Sequence, residues 1–501
     1  MDQTMLRDVL KRTWAADVIP SLSGLIAIPA LSPSYDSGWA QTGYLDAAVD
    51  HVVSWAGSRA LAADCEVIRL EGRSPLLLIE VAATAGAAGQ GTVLLYGHLD
   101  KQPALGEWSE GLGPWRAVLR EGRLYGRGSA DDGYSAYAAV TALEAVRAAG
   151  GEHCRAVIVL ETGEESGSPD LPAYLEHLSG RLGDVELVVC LDSGAGTDYE
   201  RLWLTSSLRG MVMATVTVRV LETGVHSGLA SGIVPSSFRI MRQLLDRLED
   251  PATGQVRLPE MNVPVPAGRH ADAAAFAALE PGAVGRGIPF LPGMSPASED
   301  LVELILNSTW RPALSVIGAA GLPEPAMAAA AVRPATSLRL SLRIPPTTDA
   351  ASARAALEEA LTTDVPYGAR VEVRDVVTLN GWSAPDPSPW LAAALDELTG
   401  TVFSEPYRRL GIGGGIPFME MLGRRYRHAD FLVTGALGAD SNMHVPDEWL
   451  NLEYAEQVTA AVARILDAHA HRVPGSVQRL RGSPGARFPR APWHPRLGRS
   501  C

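Results

Sequence analysis

GTVLLYGHLD, residues 91–100, begins as a short apolar run and ends in a histidine and an aspartate. A run of this length, flanked by glycine, reads as a strand covered on both faces, as strands of a parallel sheet are. RAVIVLE (155–161), VELVVCLD (185–192) and FLVTGAL (431–437) are runs of the same kind. Between the first two lies DGYSAYAAVTALEAVRAAG (132–150), rich in alanine and closed by a glycine pair, which predicts a helix. Strands of this type alternating with helices predict an α/β fold built on a mostly parallel sheet.

The middle of the chain has a different period. MVMATVTVRV (211–220), LRLSLRI (338–344) and RVEVRDVV (370–377) alternate apolar with polar residues, the pattern of strands with one wet face. SSFRIMRQLLDRLE (236–249) predicts a helix with Phe238, Met241, Leu245 and Leu248 on its buried stripe, and AASARAALEEAL (350–361) predicts a second. Together they predict an antiparallel sheet with helices on one side, an α+β domain inserted into the α/β domain. The expected division is 1–207 and 380–473 for the α/β domain and 208–379 for the insertion. Residues 474–501 carry five prolines, four glycines and no acidic residue, so a disordered basic tail is expected there.

The chain has 501 residues, enough for two domains with cores of their own. Apolar residues make up 47% and charged residues 20%, the balance of a folded globular protein. A formal net charge of −14 argues against a nucleic-acid partner, whose phosphates need a basic face. No apolar run approaches the ~18 residues of a membrane span, and the first residues hold no signal-like apolar segment, so a cytoplasmic protein without a membrane partner is expected. Cys65, Cys154, Cys190 and Cys501 are scattered without a CxxC pair, so thiolate metal ligation is not indicated.

Four of the strand-like runs deliver His, Asp or Glu at or just after their ends. The first ends in His98 and Asp100, the second leads into Glu164 and Glu165, the third ends in Asp192, and the last leads toward His444. Asp131 and Asp132 stand just before the Ala-rich helix. One carboxylate after a strand is an ordinary helix cap or turn residue. The set is different, because ligands of open α/β sheets bind at the carboxyl ends of the strands, where these groups converge. So many carboxylates gathered with two histidines in one crevice stack like charges, a cost that divalent cations remove. Oxygen and imidazole donors without thiolate suit zinc, manganese or a similar ion.

The motifs YGHLDKQP (96–103), GRGSADDG (126–133), ETGEESGS (161–168), LDSG (191–194), HSG (226–228) and SNMHVPDE (441–448) resemble those of the co-catalytic dizinc metallopeptidase family, which holds dipeptidases, aminoacylases and desuccinylases. The resemblance runs from about residue 20 to about residue 470, and YGHLDKQP, GLGPW and TWRPALSV are most similar to the dipeptidase branch. It implies that the insertion is a ferredoxin-like lid that also makes a homodimer, and that each subunit binds two divalent ions, Zn2+ foremost, with Mn2+ and Co2+ as alternatives. It implies His98, Asp131 and Asp192 around one ion, and Asp131, Glu165 and His444 around the other, with Asp131 bridging. Asp100 is expected to hold the His98 ring, Glu164 to be the general base, and His226 to face the oxyanion. Arg343, with the backbone of Gly414 and Gly415, is expected to hold the substrate carboxylate. The peptide between Asp131 and Asp132 is expected to be cis.

Two departures stand out. Gly415 replaces the serine usual in the dipeptidase branch, and Met443 and Val445 flank His444 where smaller residues are common. The expected reaction is hydrolysis of the amide bond of a dipeptide or related small substrate with a free carboxylate. The alternative is deacylation or desuccinylation of an N-acyl amino acid by the same chemistry. A non-catalytic binder on this scaffold has no use for an uncoordinated carboxylate at Glu164.

Overall fold

The computed structural model describes residues 1–194, 196–279, 281–282, 288–438 and 440–473, so the expected tail lies outside the described residues. In chain order the elements that position the site are β1 (Asp64–Ile68), β2 (Leu76–Val81), β3 (Thr92–His98), α1 (Tyr134–Ala148), β4 (Arg155–Glu161), β5 (Val185–Cys190) and β6 (Trp203–Leu208). The chain continues with β7 (Gly210–Arg219), α2 (Ser237–Leu248), α3 (Ala267–Leu279), α4 (Leu301–Thr309), β8 (Ala313–Ala320), β9 (Ala335–Ile344), α5 (Ala350–Thr362) and β10 (Arg370–Leu379). It closes with β11 (Arg408–Ile412), α6 (Pro417–Arg425), β12 (Asp430–Val433) and α7 (Leu452–Ala470).

The main sheet has the order β1-β2-β4-β3-β5-β12. β4, β3, β5 and β12 run parallel, while β2 joins β4, and β1 joins β2, antiparallel. All seven residues of β3 are buried, which is why its sequence shows no alternation. α1, α7 and the N-terminal helices cover one face, and α6 with the helix Leu171–His177 covers the other. A fully buried leucine, such as Leu143 of α1, contributes about 1.5–3 kcal/mol of transfer free energy. The four parallel strands end on the same edge, and His98 pairs in register with Glu161 there.

Lys101, one of two lysines in the chain, is fully buried just past that edge. Its ammonium donates to the carbonyls of Leu25, Ile26 and Ile28 at 2.6, 3.3 and 2.8 Å, closing the C-terminus of the helix Ile19–Ile26. Burial pushes its pKa down to about 7.

The second sheet has the order β8-β9-β7-β10 and is antiparallel throughout. With α2 and α5 on one face this is the ferredoxin-like arrangement. Val212, Ala214, Val216 and Val218 of β7 meet Leu338, Leu340 and Leu342 of β9 in a core separate from that of the main sheet. The buried stripe of α2 is Ser237, Ile240, Met241, Leu244 and Leu248, whereas Phe238 is exposed and Leu245 half-buried. The sheet contacts α2 one position around the helix from the stripe expected from the sequence. α3 and α4, in the middle of the insertion, do not join this core. Ala273, Phe276, Ile305 and Leu306 pack into the core of the main domain, with the Phe276 ring edge-on to Trp203 at 5.8 Å.

Candidate active site

The geometry at the strand ends centres on Asp131. Its Oδ1 lies 3.3 Å from His98 Nε2 and its Oδ2 lies 2.9 Å from His444 Nε2. Asp192 Oδ1 stands 3.9 Å from His98 Nε2, and Glu165 Oε2 stands 3.3 Å from His444 Nε2. One carboxylate thus faces two donor groups, each completed by its own acid. The peptide between Asp131 and Asp132 is cis. Asp132 also converges here. Its carboxylate is within ligand reach of His98 and Asp192; Oδ2 accepts the His98 amide at 3.2 Å, and Oδ1 is buried without a hydrogen-bond partner.

The acids are stacked as the sequence implies. Burial, opposed by His98 and reinforced by Asp131 and Glu165, pushes Asp192 up to about 7. Burial and the Asp192 charge push Glu164 well above the carboxylate range, and burial followed by Asp131 raises Glu165. Burial would lower His98, but hydrogen bonds to Asp100 and Asp131 hold it well above its ordinary value. Buried carboxylates, imidazoles and an orphaned carboxylate oxygen within a few ångströms fit divalent cations, which neutralise the stacked charge and take oxygen and nitrogen donors.

The neighbouring groups hold this set in place. His98 Nδ1 donates to the carbonyl of Asp100 at 3.0 Å, while the Asp100 carboxylate oxygens lie 3.5 Å or more from the ring and accept the amides of Glu164 and Glu165 at 3.2 and 3.0 Å. The Asp100 carboxylate faces the ring beside this backbone contact and also anchors the Glu164–Glu165 turn. Gln102 donates to Glu165 Oε2 at 2.6 Å. Glu161 accepts from the hydroxyls of Tyr96 and Ser168, tying the far end of the same turn to the sheet. Neither Gln102 nor Glu161 was singled out from the sequence, although both lie inside motifs quoted above.

The remaining expected residues lie on the insertion and its junction. Arg343, on β9, is half-buried and has no ion-pair partner among the described residues. Arg209 stands near enough to repel it electrostatically, and burial first, then Arg343, pushes Arg209 down to about 10. Arg209 itself is spent on carbonyls, donating to Asn307, Arg311 and Gly413 at 3.0, 3.1 and 3.3 Å. This pins the Gly413–Gly415 segment beside α4. A Cβ on Gly415 would sit 2.6 Å from Leu379 Cδ2 and 3.0 Å from the Arg209 carbonyl, so the fold leaves little room for the usual serine. Gly414 is open on its Cα side. His226 is exposed; its Nδ1 accepts the Gly228 amide at 3.2 Å, and it makes no hydrogen bond to the acidic cluster. Met443 and Val445 are exposed beside His444.

The family model of peptidase family M20/M25/M40 matches residues 94–468. The chain belongs to this family. It is therefore a metal-dependent peptidase, and its His, Asp and Glu cluster is able to hold metal. A cysteinylglycine-S-conjugate dipeptidase of Corynebacterium striatum is 28% identical over 380 residues, covering 75% of this chain and 80% of the relative. Among solved structures, the di-peptidase Dug1p of Saccharomyces cerevisiae superposes with a TM-score of 0.69 at 21% identity, covering 94% of this chain and 99% of that one. Human carnosine dipeptidase 1 superposes with a TM-score of 0.68 at 21% identity, covering 93% and 98%. These two likenesses establish the fold: an α/β domain carrying an inserted α+β domain.

Proposed function

We propose that the protein hydrolyses the amide bond of dipeptides or closely related small substrates that carry a free carboxylate. The observation that carries this reading is the division of Asp131 between two donor sets, with the Glu164 side chain free of hydrogen-bond partners among the described residues beside them. The metal groups are His98, Asp131 and Asp192 for one ion and Asp131, Glu165 and His444 for the other, with zinc the first candidate. When bound, two such ions supply Lewis acidity and activate water near neutral pH.

Glu164 takes the proton of the attacking water and delivers it to the leaving amine. Asp100 holds the two amides of the Glu164–Glu165 turn, so the base keeps its aim while its neighbour is committed to the metal. Arg343, which has no carboxylate partner among the described residues, takes the substrate carboxylate, a task that suits its planar fork. The backbone at Gly414 and Gly415 lines the same corner without a hydroxyl. His226 donates to the developing oxyanion. The dipeptidase names of the relatives agree with this substrate class.

The lid is taken as residues 208–379, and a homodimer built through it brings His226 to the active site of the partner subunit. Among the described residues no helix is long and apolar enough to cross a membrane. A cytoplasmic location is part of the same proposal.

The test is metal-stripped protein assayed on a panel of dipeptides, their C-terminal amides and N-acyl amino acids, after separate restoration with zinc, manganese or cobalt. Metal-restored turnover highest on dipeptides, and much lower on the amides, is the expected result. Preference for N-acetyl or N-succinyl amino acids would move the assignment to a deacylase. No turnover on any member would overturn it.

A further inference from the structure

Arg127 and Glu448 form an ion pair at the heart of the main domain, 1% and 0% exposed. Replacing such a pair by apolar residues of similar volume is often neutral or stabilising, so stability is a weak reason for its presence. Its hydrogen bonds suggest another. Arg127 uses all three guanidinium nitrogens: Nε donates to the carbonyl of Pro103 at 3.2 Å, Nη1 to Glu448 Oε2 at 2.6 Å, and Nη2 to the carbonyl of Val445 at 3.0 Å. Glu448 Oε1 accepts the amides of Ala130 and Asp131, both at 3.2 Å, and the Glu448 carbonyl accepts the Gly126 amide at 2.9 Å.

These bonds join three loops: the one after β3, the one that presents Asp131, and the one that presents His444. The Asp131 amide belongs to the residue whose carboxylate faces both histidines, and the Val445 carbonyl adjoins His444. His98 is held by β3 and the Asp100 carbonyl, and Asp192 follows the end of β5, so neither depends directly on the pair.

We propose that Arg127 and Glu448 are positioning residues that set the affinity of one metal position, the one made by Asp131, Glu165 and His444. The inference rests on the dimetal reading above. Second partners that orient metal ligands are commonly worth 10–100-fold in affinity. Here the expected effect is confined largely to one of two ions, because only that ion has two ligands, Asp131 and His444, on loops joined by the pair.

The test is equilibrium zinc binding by the full chain against a competing chelator, with His98→Ala and His444→Ala as references for the two positions. Glu448→Gln keeps an acceptor for the two amides but removes the charge; Arg127→Lys keeps the charge but loses the fork. Each is expected to weaken the His444-side ion by about tenfold or more and the other by less than about threefold. The melting temperature of the metal-free protein is measured alongside. Equal weakening of both ions in proportion to a lower metal-free melting temperature would reduce the pair to a general structural role and overturn the proposal. So would unchanged affinities. If a single exchange prevents folding, the joint Arg127→Met, Glu448→Leu exchange removes both buried charges together, and the same one-sided loss is expected of it. A wild-type chain that binds fewer than two zinc ions would sink the dimetal reading itself, an outcome separable from failure of the clasp.

Discussion

Glu164 and Glu165 are sequence neighbours with divided duties. Glu165 Oε2 faces His444 and receives Gln102, so its charge is committed. The Glu164 side chain has no hydrogen-bond partner among the described residues, and its backbone amide is held by Asp100. A carboxylate positioned but uncommitted is what proton transfer needs. Glu164→Gln is therefore expected to keep two metal ions per chain, read by elemental analysis, while turnover falls by about 10²–10⁴-fold. Full activity with both ions present would remove Glu164 as the base. At a distance from the site, His469 is buried against Trp390, with ring centroids 5.2 Å apart, and neither ring nitrogen has a partner among the described residues. Burial, then the Arg472 charge, pushes its pKa down to about 3. An unfolded histidine titrates near ~6.5. Above that pH both states are neutral and the residue contributes no pH dependence. Below it the unfolded chain takes up a proton that the folded chain refuses until about pH 3, so stability falls with pH by up to ~1.4 kcal/mol per unit. His469→Leu is expected to remove this slope, so that urea unfolding at pH 5 favours the variant over wild type by more than it does at pH 7.5. Parallel stability curves from pH 7.5 to 5 would contradict the assignment.

At the scale of elements, local signals carried the reading wherever the decisive contacts are local. β3, β4 and β5 announce themselves as unbroken apolar runs because both faces are covered, and the ligands sit within a few residues of their ends. β7 alternates because one face meets α2 and α5 and the other does not. The expected stripe of α2 holds at Met241 and Leu248 and shifts at the other two positions, because SFRIMRQLLDRL carries apolar residues on two adjoining helix faces and only the sheet beneath selects Ile240 and Leu244 over Phe238 and Leu245. α3 and α4 were invisible as parts of the main core. α3 is a run of small residues with no strong stripe, and its partners, Trp203 and β11, are distant in sequence. The Arg127–Glu448 pair escaped for the same reason, its members being separated by 321 positions. Gly415 stands in the sequence as a missing hydroxyl; the close approach of Leu379 and the Arg209 carbonyl exists only in the folded junction. His98, Glu165 and Asp192 were legible as candidates because they stand at or just after strand ends, whereas Arg127 and Glu448 were not, because they are fixed by each other across distant loops.

Across the whole molecule, the lid sheet leaves two edges and treats them differently. β10 carries Arg370, Glu372, Arg374 and Asp375, charges of the kind that discourage edge-to-edge pairing. β8 has no charged residue, and Val316 and Ile317 are 49% and 57% exposed on it. Close by in sequence to His226, Leu229 and Ile233 are 73% and 80% exposed. Apolar side chains left bare on an uncharged edge favour cover by a second copy across a two-fold axis. That arrangement also gives His226 a task, since among the described residues its ring bonds only the Gly228 amide. The prediction is complementation. His226→Ala and Glu164→Gln are each expected to be inactive. Mixed in equal amounts with free subunit exchange, half of the dimers carry one chain of each kind, and in each of these one site has the intact base and receives the intact histidine. Activity should then recover to about a quarter of wild type. Recovery should be lost when Val316 and Ile317 are both replaced by glutamate, because like charges on the paired edges oppose the dimer. Subunit exchange proven by labelled chains, with no recovered turnover, would mean that His226 serves its own chain or does not take part in the reaction.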